Sequence, residues 1–183
     1  MRRSYVPIFQ DKKDNYHVFF DYELNEFFTT PQQKSSNIVY LSGFVGIVFY
    51  SFFKNVSINF GLNPFAMVLL SIILGVTIGF ISLKIMMNII NKSLADKKIV
   101  LTPTKEEVRE YIYEGKKQFK ATHRVVMFVL FLSLFSSSFF HLMPHNLIMF
   151  LANIVFWAVL IILIWGVRPI KRRRIIIQLN KEL

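Results

Sequence analysis

His141 and His145 stand four residues apart, a spacing that sets two imidazoles on one helix face as metal ligands. Pro144 lies between them and is expected to end a helix there, and no third histidine or carboxylate stands nearby. Both histidines are therefore expected in an interfacial loop, with no metal. His123 adjoins Arg124 at the edge of an apolar run, and His17 lies in an alternating segment; neither has a partner evident in the sequence. Asp11 and Asp14 read as a turn pair. The chain has no cysteine, which excludes disulfides, thiolate metal sites and thiol nucleophiles together. It also lacks a Gly-x-Ser-x-Gly elbow, a His-Glu-x-x-His motif, a phosphate-binding glycine loop and paired intramembrane aspartates. No catalytic residue and no cofactor are expected.

The apolar runs carry a different chemistry. None of the four expected spans contains Asp or Glu, which argues against a proton-coupled exporter, although a passive pore would not need one. What the runs do contain is small and polar residues at helical spacing. Ser71, Gly75 and Gly79 lie at i, i+4 and i+8, Ser42 and Gly46 repeat the step, and Ser133 and Ser137 repeat it again. Gly-x-x-x-Gly permits close backbone approach, and Asn153 can hydrogen-bond across helices for about 0.6–2 kcal/mol. These faces are expected either to pack the helices of one chain together or to form an interface with another.

The elements that must position these residues follow from hydropathy. Of 183 residues, 54% are hydrophobic, and the mean hydropathy is +0.44, more than a soluble surface of this size tolerates. A helix rising 1.5 Å per residue needs about 20 apolar residues to cross about 30 Å of hydrocarbon. The predicted spans are Ile38 to Phe53, Pro64 to Asn88, Val125 to Phe140 and Leu147 to Val167. Asn63-Pro64 supplies an N-cap and a first-turn proline for the second. The expected class is an all-α integral membrane protein of four transmembrane helices in two hairpins, residues 38–90 and 125–167. Residues 1–37, 91–124 and 168–183 form a cytoplasmic layer.

Charge gives the orientation. There are 22 Lys plus Arg against 11 Asp plus Glu, and every basic residue except Lys54 lies outside the two hairpins' outer loops. The positive-inside rule then puts both termini and the middle loop in the cytoplasm. The same distribution makes nucleic acid an unsuitable partner and the anionic inner leaflet a suitable one. Arg168, Lys171, Arg172, Arg173 and Arg174 are the expected lipid contacts. The basic opening, with no apolar run behind it, predicts no cleavable signal peptide, so the first span should serve as an uncleaved anchor. Tyr40, Tyr50, Phe52 and Trp165 fall where interfacial aromatics belong. Abundant Phe, Ile, Lys and Asn suggest an AT-rich bacterial source.

Within the cytoplasmic layer, Thr104 and Glu107 form a capping box for an amphipathic helix that runs into the third span. Its apolar face is Val108, Tyr111, Ile112, Gly115, Phe119 and Thr122, expected on headgroups or neighbouring cytoplasmic segments. Residues 18–24 alternate and should pair with Tyr5 to Gln10 as a hairpin, leading into a short helical turn over Tyr22 to Phe28. Ile175 to Leu179 suggests an added strand. With outer loops of about ten and six residues, recognition is expected in the membrane or at the cytoplasmic face. The function expected is non-enzymatic: binding another membrane protein as an accessory subunit or toxin-immunity factor. A homo-oligomeric transporter or channel is the alternative. A lipid-processing enzyme using His123, His141 or His145 is the third.

Overall fold

The computed structural model describes residues 4–10, 16–30, 51, 53, 56–57, 61–143 and 145–181. The expected first span, with Ser42 and Gly46, lies outside these residues apart from Ser51 and Phe53, as do the turn at Asp11–Asn15 and Pro144. Three helices are long and apolar enough to cross a membrane. Helix α1 (Pro64–Lys97) starts where the side-chain oxygen of Asn63 accepts from the Ala66 amide at 2.7 Å. Helix α2 (Lys105–Leu142) starts on the predicted capping box. Glu107 Oε2 accepts from the Thr104 amide at 2.7 Å, and Thr104 Oγ1 accepts from the Glu107 amide at 3.3 Å. The amphipathic segment and the expected third span thus belong to one continuous helix of 38 residues. Helix α3 (Leu147–Val167) opens with Asn146 Oδ1 accepting from the Met149 amide at 3.1 Å.

The chain divides into two compact units. The first comprises Met1–Gln33, Leu83–Val126 and Leu163–Leu183, and the second Lys34–Ser82 and Met127–Ile162. The first unit corrects the all-α expectation, for it is built on an antiparallel sheet in the order β1-β2-β3-β4. Its strands are β1 (Tyr5–Gln10), β2 (His17–Asp21), β3 (Glu26–Thr30) and β4 (Ile99–Leu101). The expected hairpin of β1 and β2 is present, with Val6 opposite Phe20 and Phe9 opposite Val18. The helical turn expected over Tyr22 to Phe28 is absent: residues 22–25 form a turn and Glu26 opens a third strand. Buried Asp21 organises that turn by accepting from Ser4 Oγ at 3.1 Å and from the Glu23 and Leu24 amides at 3.1 and 3.3 Å.

Apolar layers pack on both faces of strands β1 to β3. On one, Val6, Ile8 and Phe20 pack with Val108 and Ile112 of α2 and with Ile175, Ile176 and Leu179. On the other, Tyr5 and Phe28 pack with Phe19 and Ile90, and Tyr5 donates to Asn91 Oδ1 at 2.7 Å. The neighbouring Phe27 and Phe28 therefore face opposite apolar layers, as in a sheet buried on both sides. Ile175 to Leu179, expected as a strand, belongs instead to helix α4 (Pro169–Lys181), whose buried residues Arg172, Ile175, Ile176 and Leu179 follow the i, i+3, i+4, i+7 pattern. A left-handed Arg168 (φ 49°) ends α3, and Pro169 starts α4.

The second unit holds the apolar parts of α1, α2 and α3. Its core is Met67, Phe140, Phe150 and Ile154.

Candidate functional site

The polar residues singled out in the apolar runs meet inside the second unit. Asn153 on α3 is fully buried and donates through Nδ2 to Ser71 Oγ on α1 at 2.7 Å. Its Oδ1 accepts from Ser137 Oγ on α2 at 2.9 Å. Trp157, which no spacing in the sequence marks as a partner, donates through Nε1 to Ser137 Oγ at 3.1 Å. Ser71 Oγ in turn donates a hydrogen bond to the Val68 carbonyl at 2.7 Å, so the chain of donors ends on backbone. Ser133, also buried, donates to the Val129 carbonyl at 2.8 Å within its helix. A network whose members satisfy one another avoids the cost of lone polar groups in hydrocarbon.

The glycines of the same face are closed by α3. A Cβ placed on Gly75 would lie 2.6 Å from the Ile154 carbonyl oxygen and 2.8 Å from Trp157 Cβ. At Gly79 the corresponding distances are 2.9 Å to the Ala158 oxygen and 3.0 Å to Ile161 Cβ. Within the described residues, the Ser71-Gly75-Gly79 face thus meets a helix of its own chain. His141 lines a cleft of about 470 Å³ with Phe65, Val68, Ser137, Ser138 and Leu142. Among the described residues, no three of His, Asp or Glu gather where a metal ion could be held.

In the first unit the basic tail divides. Arg172 was expected on lipid, and its burial corrects that assignment: it is 6% exposed, with Nη2 donating to the Ile8 carbonyl at 2.9 Å and towards the Gly115 carbonyl at 3.4 Å. The physical reason is a β-bulge. The register of β1 against β2 shifts between Pro7 and Phe9, which takes the Ile8 carbonyl out of the ladder and offers it to a long donor. Gly115 allows the approach, because a Cβ there would stand 2.6 Å from the Ile8 oxygen. The guanidinium lies 5.9 Å from the Phe119 ring centre, and its buried Nε has no hydrogen-bond partner. Burial lowers its pKa to about 10, so it stays charged at neutral pH. Gln118 reinforces the junction by exchanging two hydrogen bonds with the Gln10 backbone, at 3.0 and 2.7 Å.

Beyond this clamp lies a cleft of about 660 Å³. Its cations are Lys116, Lys117, Lys120 and Arg173, and its apolar walls are Tyr113, Phe119, Ile176 and Ile177. Lys117 is 3.7 Å from Glu114, and Lys116 donates to Asn180 Oδ1 at 3.2 Å. Lys171 sits over the Tyr22 ring at 5.2 Å. With Arg168 and Trp165 it also lines a smaller cleft of about 310 Å³. Across the sheet unit, the Tyr111 hydroxyl is pushed up to about 12 by burial and by Tyr16, Glu107 and Glu110, and burial lowers the pKa of His17. Lys116, Lys117 and Lys120 are close in sequence and fall on the helix that the Thr104–Glu107 capping box announces. Their meeting with Arg173 depends on α4 being a helix, which no local signal disclosed.

Compared with protein-family models, curated proteins and solved structures, the chain gives no significant match. Function must therefore be argued from its own geometry.

Proposed function

We propose that the chain is a non-enzymatic polytopic protein of the bacterial cell membrane that acts by binding another protein, as an accessory subunit or as an immunity factor. In this reading the apolar helices anchor and the sheet unit, on the cytoplasmic side with both termini, makes the contact. One observation carries the proposal: the division of polar groups between the two units. Ser71, Ser137, Asn153 and Trp157 are engaged with one another, whereas the sheet unit presents a cationic cleft on its outer surface. Polar groups closed on themselves suit a structural role, and exposed charge beside apolar walls suits recognition.

Native mass spectrometry of the tagged protein, extracted from its own membrane into nanodiscs, tests this. A second protein in fixed stoichiometry is expected. A bare monomer at native expression, with no partner retained after cross-linking in the membrane, overturns the reading. The competing reading is a homo-oligomeric transporter or channel. A self-oligomer that moves ions or solutes in vesicles above empty liposomes would put it in place of the first.

A further inference from the structure

We propose that the cleft between α2 and α4 in the sheet unit is a binding site for one anionic glycerophospholipid, its phosphate held between Lys120 and Arg173. The proposal rests on the membrane placement of the apolar helices and not on the protein partner. Three observations point to this ligand.

The first is charge. Lys116 and Lys117 are engaged with Asn180 and Glu114, but Lys120 and Arg173 are exposed and form no ion pair or hydrogen bond among the described residues. Buried Arg172, 5.9 Å from the Phe119 ring centre, adds a fixed positive charge that no carboxylate offsets among its hydrogen bonds. The second is the wall chemistry. Phe119, Ile176 and Ile177 give an apolar surface suited to glycerol and acyl carbons, which a fully hydrated anion would leave unused. The third is depth. Lys120 precedes Val125, the first residue of the uncharged run on the same helix, by five residues, or about 7.5 Å along the axis. That distance puts the cation at the level of the headgroups, where basic pockets select acidic lipids. The volume, about 660 Å³, lies in the range of small-ligand sites, about 300–1,000 Å³.

The test uses the full chain in detergent, presented with equimolar phosphatidylglycerol and phosphatidylcholine of identical acyl chains, with retained lipid counted by native mass spectrometry. One phosphatidylglycerol per chain is expected, in preference to phosphatidylcholine. Lys120→Gln with Arg173→Gln should weaken retention by about tenfold or more, at about 1 kcal/mol per cation. Lys105→Gln with Arg109→Gln removes the same charge from an exposed stretch of α2 away from the cleft and should leave retention unchanged. Equal loss in both pairs would reduce the effect to net charge and overturn the site. Displacement of the lipid by millimolar glycerol 3-phosphate would assign the cleft to a soluble phosphate ester and overturn the lipid. Thermal unfolding of each variant guards against misfolding, and the two single substitutions serve if the pair unfolds. A failed lipid preference would leave any co-purifying protein partner untouched, so the two readings fail separately.

Discussion

Arg172 concentrates the residue-scale physics of the sheet unit. A buried guanidinium without a carboxylate is expensive, and it is retained because it satisfies the Ile8 carbonyl, which the bulge in β1 turns out of the ladder, while also reaching towards the Gly115 carbonyl of α2. Arg172→Met keeps the apolar stem but strands the Ile8 carbonyl. It should destabilise the protein by about 1–3 kcal/mol, seen as a lower thermal midpoint in detergent, and an unchanged midpoint would refute the clamp. His17 gives a pH signature. Its folded pKa lies below the ordinary 6.5, so between those two values the unfolded chain holds more protons. Stability is then full above pH 6.5 and is lost as pH falls through the lowered folded value. His17→Gln should remove that pH dependence from the variant, so that the wild-type and variant stabilities diverge progressively as pH falls below 6.5. Parallel curves across the range would show that burial of His17 has no such effect.

For the elements, the decisive quantity is distance between backbones. The Ile154 oxygen leaves no room for a Cβ at Gly75, so Gly75→Ala must push α1 from α3. The expected cost is about 1–3 kcal/mol, despite a helix-propensity gain of about 1 kcal/mol. Gly166 on α3 is the internal control. A Cβ there meets only Leu83 Cδ1 at 3.6 Å and Met86 Cε at 3.7 Å, ordinary contact, so Gly166→Ala should be neutral or stabilising by up to about 1 kcal/mol. Unfolding of both variants under the same detergent conditions checks the contrast, and equal effects would show that close approach is not what Gly75 provides.

At the scale of the whole molecule, the first unit collects the N-terminal strands, the end of α1, the start of α2 and the end of α3 with α4. The N-terminal strands, three helix ends and α4 thus share one folded body. Since the chain has no cysteine, single thiols report sidedness without background. In intact cells an impermeant maleimide should label Met143→Cys, whereas Lys181→Cys should label only after lysis. The opposite pattern would invert the proposed topology.

Hydropathy and capping are local properties, so the sequence alone placed the starts of α1, α2 and α3 within a residue: Asn63 and Thr104 cap through amides three positions on, and the structure shows Asn146 doing the same where hydropathy began α3. Pairing of β1 with β2 was likewise legible from alternation and a turn. The sequence also marked Ser71, Ser137 and Asn153 as polar groups needing partners, without saying which. Only the tertiary structure decided β3, because Phe27 and Phe28 face two different apolar layers and so break the period of two that betrays a half-buried strand. It alone decided the fate of Arg172, since an arginine reads as surface until a bulged carbonyl far back in the chain is brought within reach of it. It alone assembled the cationic cleft, because Lys120 and Arg173 are 53 positions apart and come together through the packing of α2 and α4 on one sheet, which neither helix encodes by itself.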